Sequence, residues 1–232
     1  MPLQLPLPFA FHGNQNFDSF YAGPNRQIVE SLQALAGRQK SEKFIFIHGA
    51  PGLGKSHLLL ATCEAAARGG DRTFYLPFQE MRQIAPNILD GLENNDLVCI
   101  DDLDRIAGQA DWERALFHFF NRIRDKSNRL LVGCRQGPQN LSIQLPDLAS
   151  RLKWGLTFEL KELGDADKLA ALQLKARLHG LDLPLEVGQF LLSHYPRDLP
   201  SLWKMLETLD YASLSEQRKL TIPFLKSQLA KP

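Results

Sequence analysis

The stretch 44-FIFIHGAPGLGKSHLLLATCEAAARGG-70 decides the fold of this chain. A short, β-rich apolar run is followed by G-x-x-x-x-G-K-S at residues 49–56, and then by a long helical pattern that stops at two glycines. A strand, a glycine-rich loop and a helix in this order are the context in which that spacing binds phosphate. The glycines let the loop turn back so that its amides point at phosphate oxygens, and the helix adds its N-terminal dipole. The alternative is a glycine-rich turn without a ligand.

The residue types within this loop, a Walker A motif, predict a role for two of its side chains. Lys55 can reach the β and γ phosphates of a nucleotide, and the Ser56 hydroxyl can ligate Mg²⁺. We therefore expect ADP or ATP with Mg²⁺ as the ligand, while the base is not specified because the loop holds only phosphates. The predicted nucleotide contacts in this stretch are Gly49, Ala50, Pro51, Gly52, Leu53, Gly54, Lys55, Ser56 and His57.

A second apolar run, 97-LVCIDDLD-104, ends in two acidic residues. Ligands of parallel α/β sheets bind at the carboxyl ends of the strands, where Asp101 and Asp102 are expected to lie. Asp101 is predicted to hold the Mg²⁺ shell, and Asp102 stands where many ATPases have a glutamate that orients the attacking water. Because aspartate is one methylene shorter, slow hydrolysis is expected. Either residue could instead cap the following turn.

The rest of the chain alternates between strand and helix patterns up to about residue 161. Further strands are predicted at 72–77, 129–134 and 156–160, with a helical stretch at 78–92 that is interrupted at Pro86 and an amphipathic helix at 112–125. Five strands separated by helices predict a three-layer α/β sandwich with a parallel sheet. After that only helices are predicted, which together form a small all-α lid. Their ranges are 165–179, with Asp165 as the cap, and 185–194, 198–212 and 223–230.

Composition excludes several classes of protein. The 27 basic and 26 acidic residues give a net charge of +1, which indicates neither a nucleic-acid nor a membrane surface. The widely spaced Cys63, Cys99 and Cys134 form no metal-ligand pattern and predict reduced thiols in a cytoplasmic setting. No apolar run approaches the roughly 18 residues of a membrane helix. The N-terminus lacks a basic region and contains three prolines, which excludes a signal peptide.

Six stretches of the chain resemble the AAA+ ATPases of the DnaA clade, and within it the Hda-type regulators of bacterial replication initiation. They are 17-FDSFYAGPN-25, the glycine-rich loop, LVCIDDL, 145-LPDLASRLKWG-155, 197-RDLPSLW-203 and 218-RKLTIPFLK-226. The resemblance covers essentially the whole chain. It implies an AAA+ αβα fold with a five-stranded sheet, divided into an extended clamp-binding segment at 1–12, a nucleotide-binding domain at 13–161 and a helical lid at 162–232.

The resemblance implies roles for further residues. The segment 17–25, with Tyr21, would fold over the nucleotide base. Arg151 matches the arginine finger, which reaches a nucleotide held by a neighbouring subunit and can raise hydrolysis by several orders of magnitude; without the resemblance it is an ordinary surface arginine. Arg197 matches the sensor 2 arginine of the lid.

One position departs from the family pattern. Sensor 1 is a small polar residue after the fourth strand, but here that strand leads into 133-GCRQ-136, so the polar group is missing or shifted. Cys134 is a poor hydrogen-bond partner for phosphate or water. Weak or no autonomous ATPase activity is therefore expected.

The opening residues 4-QLPLPF-9 are similar to the peptide with which members of this family dock on the sliding clamp, the β subunit of DNA polymerase III. An extended segment stiffened by proline loses little entropy on binding. Leu7 and Phe9 would fill an apolar pocket and Gln4 a small polar site, with Leu5 between them. The alternative is an arm that packs on the chain's own domain.

The resemblance implies a regulatory adaptor. Bound to the clamp on DNA, it would present Arg151 to ATP-loaded DnaA and promote hydrolysis, which prevents re-initiation. It would act in the cytoplasm at the replisome, touch DNA indirectly or weakly, and form a homodimer that depends on the bound nucleotide.

Three alternatives stay open: a helicase loader or initiator paralogue, a P-loop kinase for a small molecule, and a nucleotide-dependent scaffold. An initiator is disfavoured because the chain reaches Pro232 just after the lid, without room for a helix-turn-helix domain. A kinase is disfavoured because no acceptor-binding element is recognisable.

Overall fold

A computed structural model describes residues 15–39, 42–80, 84–216 and 218–229. Within these ranges five strands form one sheet in the order β2-β3-β4-β1-β5. Every neighbouring pair is parallel. The strands are β1 (Phe44–His48), β2 (Thr73–Pro77), β3 (Leu97–Asp101), β4 (Arg129–Cys134) and β5 (Leu156–Glu159). The predicted five-stranded parallel sheet is confirmed.

Helices cover both faces of this sheet. Because successive side chains of a strand point to opposite faces, Ile45 and Ile47 pack with the helices α1 (Arg26–Ala36) and α2 (Lys55–Arg68). Phe46 packs on the other face, with residues of α3 (Ala110–Asp125) and α4 (Pro146–Leu152). These two cores give the three layers that the sequence predicts.

The strand register places four strand ends at one edge of the sheet. His48 at the end of β1 pairs with Cys134 at the end of β4. Pro77 at the end of β2 pairs with Asp101 at the end of β3. The loop after β1 and the acidic residues after β3 therefore lie at the same carboxyl edge, where ligands of parallel sheets bind.

The C-terminal part of the chain is helical and has a core of its own. Its helices share one apolar cluster that includes Leu172, Leu191, Leu206 and Phe224. They are α5 (Asp165–Leu178), α6 (Leu185–His194), α7 (Leu199–Glu216) and α8 (Ile222–Leu229). This confirms a helical lid region, while the boundaries proposed at 12 and 161 stay predictions.

Two local predictions are wrong. The described part of 78–92 contains short 3₁₀ turns at Pro86–Leu89 and Leu92–Asn94 instead of an α-helix. Ala85 is extended, as a residue before proline prefers to be, and Gly91 takes a positive φ of 86°. Asp165 is the first residue of α5 and not its cap, which is Gly164.

Within the described ranges, none of the helices combines the length and the apolar character that crossing a membrane requires.

Candidate functional site

A cleft of about 1440 Å³ lies at the carboxyl edge of the sheet, between the glycine-rich loop, residues 15–25 and the helices α5 and α7. It brings together most of the side chains predicted to bind nucleotide and metal. Its lining includes Tyr21, Pro51, Gly52, Leu53, Gly54, Lys55, Ser56, His57, Asp101 and Asp102. Gly49, Ala50, Arg151 and Arg197 are not part of this lining.

The glycines of the loop pass close to two other parts of the chain. Gly54 has φ 93°, and a Cβ there would lie 2.7 Å from Cε2 of Phe20. Gly52 has φ 82°, and a Cβ there would lie 3.0 Å from Cγ of Pro200 in the lid. Both positions need glycine, because an L side chain rarely adopts such a φ and because the space is taken.

Lys55 is folded back onto the loop that carries it. Its Nζ donates hydrogen bonds to the carbonyl oxygens of Gly49 at 2.7 Å and of Ala50 at 2.9 Å. Burial lowers the pKa of Lys55, while the carboxylate of Asp101 opposes that shift. The ammonium group therefore closes the first turn of the loop and has to exchange these carbonyls for phosphate oxygens when it binds a ligand.

The carboxylate of Asp101 is held from two sides. Its Oδ1 accepts the backbone N–H of Asp102 at 3.0 Å, and its Oδ2 accepts the hydroxyl of Tyr75 at 2.9 Å. Ser56 also interacts with the Tyr75 hydroxyl, so Ser56 and Asp101 face the same point of the cleft. Burial, and then the charge of Asp101, raise the pKa of Tyr75, which keeps the phenol protonated as a donor. Tyr75 was not among the predicted site residues.

Asp102 has an uncommon backbone for a residue other than glycine, with φ 55° and ψ 41°. Burial raises the pKa of its carboxyl group, and the neighbouring Asp101 adds to the shift. Aspartate tolerates this left-handed conformation better than most residues, and such conformations concentrate at functional sites. The turn directs the chain away from β3 directly after the two acidic residues.

Cys134, at the predicted sensor 1 position, is fully buried and packs on the face of the sheet that α3 and α4 cover. Burial raises the pKa of its thiol, so the group stays neutral. The next residue, Arg135, lines the cleft, with Nε 3.7 Å from Oδ2 of Asp104. The polar side chain that follows β4 is therefore Arg135, which forms an ion pair with Asp104, and not the small polar residue of the sensor 1 pattern.

His57 and Tyr21 join residues 15–25 to the rest of the cleft. Nε2 of His57 lies 2.9 Å from the carbonyl oxygen of Asn16, and Tyr21 donates to Oδ1 of Asp167 in the lid at 3.0 Å. Asn25 is buried and exchanges two hydrogen bonds with the backbone of Lys161, at 3.0 and 2.8 Å. Asn25 is the last residue of the segment 17–25, and no local pattern of the sequence indicates its contact with Lys161.

Arg151 lies on α4, away from the cleft. Its Cζ is 4.6 Å from the ring centre of Phe117 and 5.0 Å from that of Trp154. Nη1 is buried and finds no hydrogen-bond partner in the described part of the chain. The guanidinium thus lies over two aromatic rings, and its Nη1 has no hydrogen-bond acceptor among the described residues.

Arg197 lies on the lid and donates to Oδ2 of Asp165 at 3.2 Å. The structure does not bring it into the cleft with the other predicted residues. The residues predicted to bind the clamp, Gln4, Leu5, Leu7 and Phe9, lie outside the described ranges. In those ranges no group of three or more His, Cys, Asp or Glu side chains could hold a metal ion.

Solved structures of known proteins share this fold. Domain III of the Thermotoga maritima replication initiation protein DnaA is 22% identical with a TM-score of 0.80, covering 94% of this chain and 98% of that one. AMPPCP-bound DnaA from Aquifex aeolicus is 23% identical with a TM-score of 0.70, covering 82% and 63%. The RuvB Holliday junction branch migration motor of Thermotoga maritima is 14% identical with a TM-score of 0.69, covering 94% and 72%.

Family models match more specifically. The bacterial DnaA ATPase domain matches residues 12–159, which is more than half of the chain. The lid domain of Hda matches residues 165–229. With the parallel sheet, the glycine-rich loop and the helical lid in the same order, the chain belongs to the bacterial DnaA ATPase-domain family and is an Hda-type, DnaA-homologous AAA+ protein of the replication-initiation regulators.

Proposed function

We propose that this protein is a nucleotide-bound adaptor that docks on the DNA sliding clamp and promotes hydrolysis of ATP bound to DnaA. That activity converts DnaA to its ADP form and so prevents a second initiation from the same origin. The two family matches support a role in replication initiation. The single observation that carries the finer proposal is the position of Arg151 outside the chain's own cleft.

The proposed nucleotide site is the cleft at the carboxyl edge of the sheet. The AMPPCP-bound DnaA neighbour supports a nucleotide here. Backbone amides of residues 49–56 would surround the phosphates, with Lys55 exchanging its two carbonyl acceptors for phosphate oxygens. Residues 17–25, with Tyr21, would cover the base. Arg197 would complete the site as sensor 2 only after leaving Asp165.

The oxygen donors of the cleft fit Mg²⁺. Ser56 and Asp101 meet at one hydroxyl, that of Tyr75, and both offer the hard oxygen ligands that Mg²⁺ prefers. We propose that these two side chains hold the ion together with nucleotide phosphates. When bound, it would neutralise phosphate charge, while Tyr75 keeps the carboxylate of Asp101 oriented.

Turnover of the chain's own nucleotide is proposed to be slow. Asp102 would have to orient a water molecule from a side chain that is one methylene shorter than the glutamate of many ATPases. The buried Cys134 thiol offers no polar contact to a phosphate. The nucleotide, ADP by resemblance, would then act mainly as a switch that sets subunit arrangement, including exchange between monomer and homodimer.

Arg151 is proposed to act on a nucleotide of another subunit. Its guanidinium is held by Phe117 and Trp154, and its Nη1 is buried without a hydrogen-bond partner among the described residues. A guanidinium positioned outside its own cleft is what a charge for a neighbouring phosphate requires, and the buried Nη1 would have to be uncovered before it could donate to that phosphate. We propose that this nucleotide is bound to DnaA.

The proposed clamp contact is made by Gln4, Leu5, Leu7 and Phe9, which places the protein in the cytoplasm at the replisome, with DNA contacted indirectly. Gln4→Ala, or Leu7→Ala with Phe9→Ala, should abolish clamp binding in a pull-down and leave nucleotide affinity unchanged. Leu3→Ala, next to the motif, is the matched control. Unchanged clamp binding in the motif variants would remove this part of the proposal.

The deciding experiment measures hydrolysis of DnaA-bound ATP with and without this protein, in the presence of clamp loaded on DNA. Stimulation by the wild type should depend on the clamp, and Arg151→Ala should lose it by roughly 1000-fold, as arginine fingers do elsewhere. Arg114→Ala removes the same charge from the exposed face of α3 and should stimulate normally.

Two results would contradict the proposal. Equal stimulation by Arg151→Ala and wild type would show that this arginine is not the finger. Rapid ATP turnover by this protein alone, without stimulation of DnaA, would favour the helicase-loader class instead.

A further inference from the structure

Glu113 is a buried carboxylate in the first turn of α3, with 1% of its surface exposed. Its two oxygens accept three backbone N–H groups that all come from loops. Gly108 donates to Oε1 at 2.7 Å, Gln144 to Oε2 at 2.9 Å and Oε1 at 3.1 Å, and Leu145 to Oε2 at 2.7 Å. Nothing in the proposed chemistry of the cleft uses this residue.

Two of these three donors lie directly before the helix that carries Arg151. α4 begins at Pro146, and the preceding residue, Leu145, provides no side-chain cap. Hydrogen bonds to an ionised carboxylate are roughly twice as strong as neutral ones. Glu113 therefore fixes the entry of a helix that has only seven residues.

The same helix α3 also contacts the guanidinium itself. Phe117 lies one turn after Glu113, and its ring centre is 4.6 Å from Cζ of Arg151. Residues four apart lie on the same face of a helix. One face of α3 thus contacts α4 at two points. Glu113 binds the backbone just before α4 begins, and Phe117 contacts the guanidinium of Arg151.

We propose that Glu113 is a positioning residue for Arg151. The inference rests on the proposed function, in which Arg151 reaches the nucleotide of a neighbouring subunit. A shift of about 1 Å in a catalytic group can cost roughly 100-fold in rate. Loosening the 144–145 backbone therefore lowers the stimulated rate without changing how the protein binds its partners.

The test compares Glu113→Gln with Glu113→Ala. Glutamine keeps the size of the side chain but replaces one acceptor oxygen by an NH₂ group that faces backbone donors. Alanine removes every acceptor, and the glutamine variant keeps the test valid where alanine fails to fold. Glu30→Gln, an exposed position on α1, is the matched control.

Two readouts are needed. In the protein alone, hydrogen exchange of the peptide spanning 141–154 should be about tenfold faster in Glu113→Gln, while the centre of α3 exchanges as in wild type. In the DnaA assay, the maximal stimulated rate should fall about tenfold or more, with an unchanged concentration for half-maximal stimulation. Nucleotide affinity and the Glu30→Gln control should match wild type.

The outcomes separate this inference from the proposed function. If Arg151→Ala loses stimulation and Glu113→Gln does not, the positioning role is overturned whatever the exchange result, while the proposed function stands. Unchanged exchange in 141–154 overturns it too. Full stimulation by Arg151→Ala overturns the proposed function, and the positioning role with it, even where exchange is faster.

Discussion

Gly133 on β4 lies so close to Asp101 on β3 that a Cβ added to Gly133 would stand 2.8 Å from Oδ1 of Asp101. The same Cβ would be 3.2 Å from Cδ1 of Leu59 on α2, so a side chain at position 133 could not avoid Asp101 by shifting toward α2. Hydrogen bonds from Asp102 and Tyr75 fix the carboxylate on its other sides. The absent side chain at 133 therefore helps to set the position of the proposed metal ligand.

Gly133→Ala should displace the Asp101 carboxylate. Overpacking of this kind costs about 1–3 kcal/mol of unfolding free energy, measured by urea denaturation. We also expect the Mg²⁺-dependent part of nucleotide affinity to fall, while affinity in EDTA stays near that of wild type. Gly37→Ala, beyond the end of α1 and away from the cleft, is the control. Unchanged Mg²⁺ dependence in Gly133→Ala would contradict this role of the glycine.

Local sequence patterns predicted the sheet and the glycine-rich loop, because a strand, a glycine spacing and a helix are all coded within about 25 neighbouring residues. The same patterns do not indicate that Gly133 faces Asp101, because the segment 133-GCRQ-136 predicts at most a polar side chain near the phosphates. The contact depends on the register between β3 and β4. A single sequence does not encode that register locally.

Tyr75→Phe removes the hydroxyl that donates to Asp101. The buried carboxylate oxygen then loses a partner, and hydrogen bonds to charged groups contribute about 1.5–3 kcal/mol. We expect a loss of that size in urea unfolding of the nucleotide-free protein. Tyr211→Phe makes the same chemical change at a side chain that is 79% exposed, and should stay within about 0.5 kcal/mol of wild type. Equal stabilities of the two variants would contradict the structural role of the Tyr75 hydroxyl.

Tyr75, Asn25 and Glu113 were not predicted as site residues for one common reason. Each acts through a partner far away in the chain, namely Asp101, Lys161 and the 144–145 backbone. Tyr75 and Glu113 match no local motif, and Asn25 stands in the segment 17–25 without a role of its own. Arg197 is the opposite case. A motif predicted that it binds nucleotide, but in the structure its hydrogen-bond partner is Asp165.

Lys55→Ala should abolish tight nucleotide binding. The variant loses the only charge that the loop itself carries, and with it hydrogen bonds to phosphate that correspond to roughly 100-fold in affinity. Isothermal titration with ADP and Mg²⁺ measures this loss. Lys204→Ala, an exposed lysine on α7, is the control. A Kd within twofold of wild type for Lys55→Ala would place the nucleotide elsewhere.

His57 should make the stability of the protein depend on pH. Burial lowers the pKa of His57 in the folded state, although the carbonyl of Asn16 opposes the shift. Between that lowered pKa and about 6.5, the ordinary value, the unfolded chain binds the proton more readily. Stability therefore falls as the pH drops below about 6.5, and the loss is complete only below the folded pKa.

His57→Gln should reduce this loss when urea unfolding is measured between pH 7.5 and pH 5, values chosen to bracket about 6.5. Part of the dependence should remain, because burial lowers the pKa of His48 as well. His118→Gln, at an exposed position on α3, should leave the pH dependence as in wild type. A His57→Gln profile parallel to that of wild type would show that this histidine does not contribute.

Arg151→Lys keeps the positive charge and removes the planar guanidinium. A lysine ammonium is a compact point charge without the planar group that lies over Phe117 and Trp154, and it cannot offer a forked pair of donors to a phosphate. We expect at least about tenfold lower stimulation of DnaA-bound ATP hydrolysis, with clamp binding and nucleotide affinity unchanged. Arg124→Lys changes the other arginine near Trp154, at 5.8 Å, and should stimulate normally. Full stimulation by Arg151→Lys would mean that charge alone suffices, and that the two aromatic rings do not orient the finger.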